Sequence, residues 1–268
     1  MPEQQSAARA GELRLTPLVP PSEPATVPAI VEELGLLERS ERDGSRPHVL
    51  LNMIATVDGR ATLGGRSGPL SGPADRELFH GLRAGVDAVL VGAGTARAER
   101  YGRMIPAEAN RRLRRKRGLD EEPLACIVSG RLALDADLPL LATPSARVAV
   151  VTASAASLPP TAADVDYVRS GQEGVLDLSG ALSELRSRFG VGSVLCEGGP
   201  HLARQLFGDA LIDELFLSVS PRLGGGEPAG GEALRILAGA ELDPAVELEL
   251  LGVLRRDSYL FLRYGVSA

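Results

Sequence analysis

The sequence predicts an α/β fold in which a mainly parallel central sheet is flanked by helices and finished by antiparallel strands. Short apolar runs such as 86–91 and 148–152 contain no polar alternation, which is typical of parallel strands buried on both faces. Through most of the chain these runs alternate with segments of helical periodicity, as in a sequence of βα units. The last part has strand composition with few helices between, and this favours antiparallel strands at the end.

Composition narrows the class of protein. The chain has 268 residues, a hydrophobic content of 44% and only 3% aromatic residues, so the core must consist of aliphatic side chains. A formal charge of −6 argues against a nucleic-acid binder. The sequence shows neither a signal-peptide pattern nor an apolar run of membrane-spanning length, and Cys126 and Cys196 lie inside apolar runs. We therefore expect a cytoplasmic protein with no membrane or nucleic-acid partner.

The first 45 residues differ from the rest of the chain. Several prolines interrupt this stretch, and only residues 28–38 have the pattern of a short amphipathic helix. We expect residues 1–45 to form an extension lying over the domain or over a partner subunit, and residues 46–268 to form the domain itself.

The elements of that domain follow in order from residue 48. Alternation and composition predict a strand from His48, a turn at Asp58-Gly59 and the start of a second strand after it. Apolar spacing predicts the helices, and short apolar runs predict the strands. The helices are expected over 73–84, over 176–189 and from residue 200, and the strands over 86–91, 124–128, 148–152, 165–168, around 194, and over 214–220, 246–254 and 258–264.

The most informative segment is 191–207. An apolar run meets a single acid, Glu197, and is followed by Gly198, Gly199 and Pro200 before helical spacing begins. This pattern indicates a strand that turns tightly into a helix, where free backbone N–H groups and little side-chain bulk suit an anion. Segment 87–99 repeats the pattern with Gly92 and Gly94. Two such junctions indicate a nucleotide-sized ligand.

Several catalytic classes are excluded by missing motifs. The sequence has no Cys-x-x-Cys, no clustered histidines, no phosphate-binding loop ending in Gly-Lys-Ser/Thr and no Gly-x-Ser-x-Gly elbow. We therefore expect no metal site. A scaffold with anion-friendly turns but no strong nucleophile suits chemistry carried by a cofactor, such as hydride transfer from a nicotinamide. The basic run 111–117 has no interleaved aromatic residue, and a solvated helix or loop is its preferred interpretation.

Three segments, 51–60, 65–99 and 196–226, resemble the riboflavin-pathway pyrimidine reductases. The resemblance implies a dihydrofolate-reductase-like fold and an NADPH-dependent oxidoreductase. The implied reaction transfers hydride to C1′ of the ribosylamino group of 5-amino-6-(5-phosphoribosylamino)uracil. Two alternatives remain open: reduction of a pterin such as dihydrofolate, and a non-catalytic nucleotide-binding regulatory protein.

The resemblance also assigns residues on the substrate side. It implies catalytic roles for Asn52 and Glu197, and substrate contacts for Ser67, Arg83, Arg103 and Glu197. Arg83 is expected to reach the ribose phosphate, although a cation there also suits the C-terminal end of the 73–84 helix.

On the cofactor side the resemblance implies contacts with NADPH along both junctions and beyond them. Two of these residues have an alternative interpretation. Asp58 can serve only a tight turn, and His201 can be an exposed side chain without a ligand. Arg131 beside Ser129 is expected to meet the 2′-phosphate that distinguishes NADPH from NADH. The implied contacts are Ile54, Asp58, Gly92, Gly94, Thr95, Glu99, Ser129, Arg131, Gly198, Gly199, Pro200, His201, Leu202 and Ala203.

We also expect a homodimer. The late strands, above all 214–220, are apolar on both alternating faces and would leave an exposed edge or patch in a monomer.

Overall fold

The structure, a computed structural model, describes residues 13–36, 44–172, 175–226 and 233–267. Thirteen strands and six α-helices lie within these ranges. The strands are β1 (Arg14–Val19), β2 (Ala25–Thr26), β3 (His48–Thr56), β4 (Ala88–Gly92), β5 (Leu124–Val128), β6 (Arg147–Thr152), β7 (Asp164–Arg169), β8 (Gly171–Gln172), β9 (Val175–Leu176), β10 (Ser193–Cys196), β11 (Glu214–Ser220), β12 (Leu248–Arg256) and β13 (Tyr259–Val266). The helices are α1 (Val27–Glu33), α2 (Pro73–Ala84), α3 (Ala93–Ala98), α4 (Glu108–Lys116), α5 (Leu178–Phe189) and α6 (Pro200–Gly208).

Eleven strands form one sheet in the order β2-β1-β12-β13-β11-β3-β10-β4-β5-β6-β7. From β11 to β7 every neighbouring pair is parallel. On the other side β13, β12, β1 and β2 continue the sheet with antiparallel pairs. This arrangement confirms the predicted fold class, with its mainly parallel sheet and antiparallel C-terminal strands.

The sheet separates two apolar cores, which explains why its central strands carry apolar residues on both faces. On one side, β3, β4 and β10 contribute Leu50, Val89 and Leu195 to a core covered by α1, α2 and α3. On the other side, Cys196 and its neighbours pack against α5 and α6. Because side chains alternate along a strand, each short apolar run supplies both cores at once.

Local sequence signals set the ends of the helices around this sheet. Pro73 occupies the first turn of α2, where its missing N–H costs no hydrogen bond. The carboxylate of Asp177 caps α5 by accepting from the Gly180 N–H, and Gly190 ends that helix with a φ of 68°. The predicted bounds of α2 match those observed, and α5 begins two residues later than expected.

Three sequence expectations about the periphery are corrected. The extension is not only a cover, because β1 pairs with β12 and lengthens the sheet, while residues 1–12 and 37–43 lie outside the described part. The segment after Gly59 forms an isolated bridge between Leu63 and Arg66 instead of a strand. Strand β11 is not an exposed edge, since β3 and β13 flank it. The boundary at residue 46 stays a prediction.

The basic run 111–117 lies mostly in helix α4. Of the two forms expected for it, a helix or a loop, the structure has the helix. Arg111 and Arg115 pair with Glu108, which places much of the charge in a salt-bridged surface. Arg114 differs from the expectation, because it is buried and its Nη1 donates to the Val86 carbonyl at 2.6 Å. Burial lowers the pKa of Arg114 to about 10. This side chain ties α4 to the loop between α2 and β4.

Among the residues that the structure describes, none of the helices is long and apolar enough to cross a membrane.

Candidate active site

The two glycine-rich junctions predicted from the sequence touch one another. The Gly92 N–H donates to the Gly198 carbonyl at 2.7 Å, and the peptide between Gly198 and Gly199 is cis. A Cβ on Gly199 would lie 2.4 Å from the Thr95 hydroxyl oxygen, so a side chain there would displace Thr95. The turn after β10 therefore packs directly onto the turn after β4.

The register of the sheet brings the predicted acid beside the predicted amide. Cys196, the last residue of β10, is level with Leu51 of β3 and with Leu90 of β4. Glu197 follows one position later, next to Asn52 in the neighbouring strand, and its N–H donates to the Leu90 carbonyl at 2.9 Å. Both side chains thus lie at the carboxyl edge of the parallel strands, where ligands of open α/β sheets bind.

A cavity of about 630 Å³ opens at this edge. Its walls come from the end of β3, the loop before α2, one face of α2, and both glycine junctions. A cavity of this size accommodates a nucleotide-sized or drug-sized ligand. Of the predicted site residues, those lining it are Asn52, Ile54, Ser67, Arg83, Gly92, Gly94, Thr95, Glu99, Glu197, Gly199, Pro200, His201 and Leu202.

A buried ion pair lies in the wall of the cavity. Arg83 Nε and Nη2 donate to the two carboxylate oxygens of Glu197 at 2.6 and 2.7 Å, and its Nη1 donates to the Met104 carbonyl at 3.0 Å. The two side chains are only 7% and 2% exposed. Burial alone would lower the pKa of Arg83, but the Glu197 carboxylate raises it above the ordinary value. Arg83 therefore stays charged inside the cavity wall.

Two aromatic rings hold this pair in place. The Arg83 guanidinium carbon lies 4.2 Å from the ring centre of Phe79 and 5.2 Å from that of Tyr101. The Tyr101 hydroxyl also donates to Glu197 Oε2 at 2.6 Å. Stacking on both rings adds cation–π attraction to the bidentate hydrogen bonds.

A second carboxylate of the cavity lining, Glu99, holds the loop before α2. Glu99 Oε1 accepts hydrogen bonds from the Ser67 N–H at 2.7 Å and from the Ser67 hydroxyl at 3.0 Å. Arg66 lies 3.4 Å from the other carboxylate oxygen. Glu99 thereby fixes the loop before α2 against the end of α3, and both predicted residues share one hydrogen-bonded unit.

Comparison with known proteins now identifies the family. The sequence model described as the RibD C-terminal domain matches residues 47–258. The chain belongs to this family. The resemblance drawn from the three sequence segments is thereby confirmed.

Individual relatives agree with that assignment. The 2,5-diamino-6-ribosylamino-4(3H)-pyrimidinone 5′-phosphate reductase of Archaeoglobus fulgidus is 31% identical over 186 residues, covering 68% of this chain and 83% of the relative. The enzyme of the same name from Methanothermobacter thermautotrophicus is 28% identical over 230 residues, covering 83% of this chain and 99% of the relative. Relatives of the chain are thus oxidoreductases of riboflavin biosynthesis.

Solved structures agree at the level of fold. A pyrimidine reductase-like protein from Corynebacterium diphtheriae superposes with a TM-score of 0.69 at 23% identity, covering 91% of this chain and all of that one. A riboflavin biosynthesis reductase from Saccharomyces cerevisiae gives 0.66 at 18% identity, covering 90% and 99%. The dihydrofolate-reductase-like fold expected from the sequence is confirmed.

Asp58 does not line the cavity of this RibD-family domain. Its carboxylate accepts from the N–H groups of Gly224 and Gly225 at 3.0 and 2.7 Å, and from the Thr56 hydroxyl. The Thr56 hydrogen bond and the two glycine N–H groups lower the pKa of Asp58 to about 2. Asp58 therefore links the turn after β3 to residues 221–226. This link is an additional role to the tight turn that the sequence suggested.

Five other predicted residues also lie outside the cavity lining. Arg103 pairs with Glu122 at 2.6 Å. Gly198 and Ala203 belong to the α6 junction but do not face the cavity. The Gly198 carbonyl accepts from the Gly92 N–H, and Ala203 is fully buried in the core. Ser129 is buried just after β5, and Arg131 is exposed two residues later. The contacts assigned to these residues by resemblance stay predictions.

Sequence reasoning found Arg83 on α2 but missed Arg76 and Phe79 on the same face, and it missed the residues that follow α3. On α2 the spacing of Arg76, Phe79 and Arg83 is i, i+3 and i+7, which places all three side chains on the cavity face. This spacing was available as a signal. Tyr101 offered no comparable pattern, because its partner Glu197 lies 96 residues away.

The α6 junction fits a nicotinamide cofactor of the kind that such reductases use. No side chain caps α6, so the N–H groups of His201 and Leu202 in its first turn have no partner within the helix. A Cβ built on Gly94 meets nothing within 4 Å, which leaves open space on the facing junction. Free N–H groups and the positive helix end on one side of such a gap suit a diphosphate.

The described residues contain no cluster of His, Cys, Asp or Glu that could hold a metal ion.

Proposed function

We propose that this chain reduces C1′ of the ribosylamino group of 5-amino-6-(5-phosphoribosylamino)uracil, or of its 2-amino counterpart, with NADPH. The observation that carries the proposal is the buried Arg83–Glu197 pair in the wall of the cavity formed by the two glycine junctions. Relatives of the chain are named for reduction of a ribosylaminopyrimidine 5′-phosphate. A phosphorylated pyrimidine and a dinucleotide are two anionic ligands, and the cavity offers separate sets of donors for them.

The cofactor end of the cavity is assigned to the junctions. Gly199, Pro200, His201 and Leu202 would receive the diphosphate, and Thr95 lies against the same turn. NADPH would supply the hydride, and the protein would supply orientation. Asn52 and Ile54 of β3 line the cavity beside Glu197, which is the position expected for residues that contact the nicotinamide.

The substrate end is assigned to Glu197, Arg83 and Ser67. Glu197 is held by charged donors and acts as a hydrogen-bond acceptor for hydroxyl or amino groups of the substrate. Such a fixed, buried carboxylate would orient the ribose chain and stabilise the positive charge that C1′ and its amino nitrogen share once the bond from C1′ to the ring oxygen breaks and that oxygen takes a proton. Hydride from the nicotinamide would then form the new C1′–H bond and neutralise this charge.

Arg131 supports the choice of NADPH over NADH. It is exposed just after β5, and it has no hydrogen bond or ion pair within the part of the chain that the structure describes. A 2′-phosphate placed there would gain a charge-assisted hydrogen bond from the guanidinium.

The first test measures turnover with both nucleotides. We expect NADPH oxidation, followed as loss of its near-ultraviolet absorbance, only when one of the two ribosylaminopyrimidine phosphates is present. NADPH should be preferred to NADH by about 10- to 100-fold, the value of one charged hydrogen bond, and Arg131→Ala should remove most of that preference.

Three outcomes would contradict this assignment. Turnover of dihydrofolate alone would favour a pterin reductase, and NADPH binding without turnover of any of these substrates would favour a regulatory protein. Equal use of NADH and NADPH by the wild type would refute the role of Arg131.

The substrate phosphate has two candidate sites in the cavity. Arg83 has five N–H donors, of which Glu197 and the Met104 carbonyl occupy three. Arg76 and Arg100 also line the cavity, and both are exposed. Within the described part of the chain, the one hydrogen bond of the Arg76 guanidinium is a long contact of 3.4 Å to the Ser71 carbonyl. We propose that Arg76 and Arg100 take the phosphate, while Arg83 serves mainly Glu197.

Substitution separates these two sites. Arg76→Ala and Arg100→Ala should each lower kcat/KM for the phosphorylated substrate by about 10- to 100-fold, without changing kcat/KM for the dephosphorylated one. The KM for NADPH should not change. Arg97→Ala is the matched control, because Arg97 lies on the same helix-and-loop segment but donates to the Ala133 carbonyl outside the cavity. A different result would contradict the proposal. If Arg83→Ala reduces the ratio of kcat/KM for the phosphorylated and dephosphorylated substrates, and Arg76→Ala and Arg100→Ala do not, then Arg83 holds the phosphate.

We also propose a homodimer, on a surface different from the one expected. The register of β1, β12 and β13 places Val19, Leu248, Leu250 and Leu260 on one face of the sheet. These side chains are 36–45% exposed, and nothing within the described ranges covers them. A second copy of the chain provides a matching apolar face.

Light scattering at micromolar concentration should give twice the mass of one chain. The double substitution Leu250→Glu and Leu260→Glu should give the monomer mass, because it places four carboxylates in the apolar contact of a symmetric dimer. Val175→Glu changes an exposed apolar residue elsewhere and should leave the dimer intact. A monomeric wild type would contradict the proposal.

A further inference from the structure

We propose that Tyr101 is a positioning residue, which fixes the Glu197 carboxylate so that one oxygen faces the substrate. This inference rests on the proposed reductase function. Tyr101 lines the cavity, and its hydroxyl donates to Glu197 Oε2 at 2.6 Å.

The backbone holds Tyr101 firmly in this place. Its N–H donates to the Ala96 carbonyl at the end of α3, and its carbonyl accepts from the Leu140 N–H, both at 2.9 Å. Arg100, just before it, has a φ of 50°, a left-handed conformation that turns the chain out of the helix. The ring is therefore set from both sides before any ligand arrives.

The donors around Glu197 leave one position free. A carboxylate offers about four lone-pair positions, two on each oxygen. Among the described residues, Oε2 accepts from Arg83 Nη2 and from the Tyr101 hydroxyl, whereas Oε1 accepts only from Arg83 Nε. With Oε2 filled, the remaining position on Oε1 is the one that a hydroxyl or amino group of the substrate meets.

Tyr101 keeps its proton while it does this. Burial, reinforced by the neighbouring Glu197 carboxylate, raises the pKa of Tyr101 well above the ordinary value. The hydroxyl is therefore a neutral donor throughout the pH range of an enzyme assay. Glu197 accepts two hydrogen bonds from Arg83 and one from Tyr101, so it acts as an acceptor. The proton that accompanies hydride transfer therefore comes from another group.

Removal of the Tyr101 hydroxyl frees a lone-pair position on Glu197 Oε2. In Tyr101→Phe the ring remains beside Arg83, but Oε2 becomes able to accept from the substrate in a second, unproductive orientation. Geometry of this kind affects the reacting step more than ground-state binding, because near-attack alignment is lost.

The test is a double-substitution cycle on kcat. Tyr101→Phe should lower kcat by about tenfold with little change in the KM for NADPH. In a Glu197→Gln background the same substitution should change kcat by less than about twofold, because the interaction it removes is already altered. Tyr259→Phe is the matched control, since the Tyr259 hydroxyl donates to the Leu70 carbonyl at 2.9 Å outside the cavity lining. It should leave kcat unchanged.

The outcomes separate this inference from the proposed function. A wild type without turnover refutes the function, whereas an active wild type with an unaffected or purely additive Tyr101→Phe refutes the positioning role alone. Proton NMR keeps the contact testable without turnover. A downfield hydroxyl resonance should be present in the wild type and Tyr259→Phe, be absent from Tyr101→Phe, and shift or vanish in Glu197→Gln. Its absence from the wild type overturns the proposal.

Discussion

The hydrogen bond from the Gly92 N–H to the Gly198 carbonyl is the contact on which the site depends. It joins the turns that follow β4 and β10, two neighbouring parallel strands, and it requires backbone to approach backbone. A Cβ on Gly92 would lie 3.3 Å from the Gly199 nitrogen, and one on Gly199 would overlap Thr95. Without side chains at these points, the first turns of two helices face one cavity from adjacent strands.

The ion pair beside these turns supplies the electrostatics of the site. Removing one partner of a buried pair leaves an uncompensated charge and costs about 3–5 kcal/mol, so Arg83 and Glu197 hold each other in place. Phe79 and Tyr101 lie against the guanidinium and help to exclude water from it. The site is thus organised before ligands bind, and little reorganisation is required during hydride transfer.

Local patterns predicted the parts of this structure that local physics determines. The position of Glu197 at a strand end, the two glycine junctions and the bounds of α2 all follow from periodicity, turn chemistry and Pro73. Features that depend on distant residues were missed. Asp58 meets Gly224, which lies 166 residues later, and Tyr101 meets Glu197 across 96 residues. The pairing of β1 with β12 joins the two ends of the chain, which no short window of sequence reveals.

The central claim is that the two junctions form a cofactor site beside the Arg83–Glu197 pair. A crystal structure with NADP⁺ bound tests it most directly. The account predicts the diphosphate on the N–H groups of His201 and Leu202, and the nicotinamide beside Asn52 and Glu197. A diphosphate bound away from α6, or a nicotinamide remote from Glu197, would contradict it.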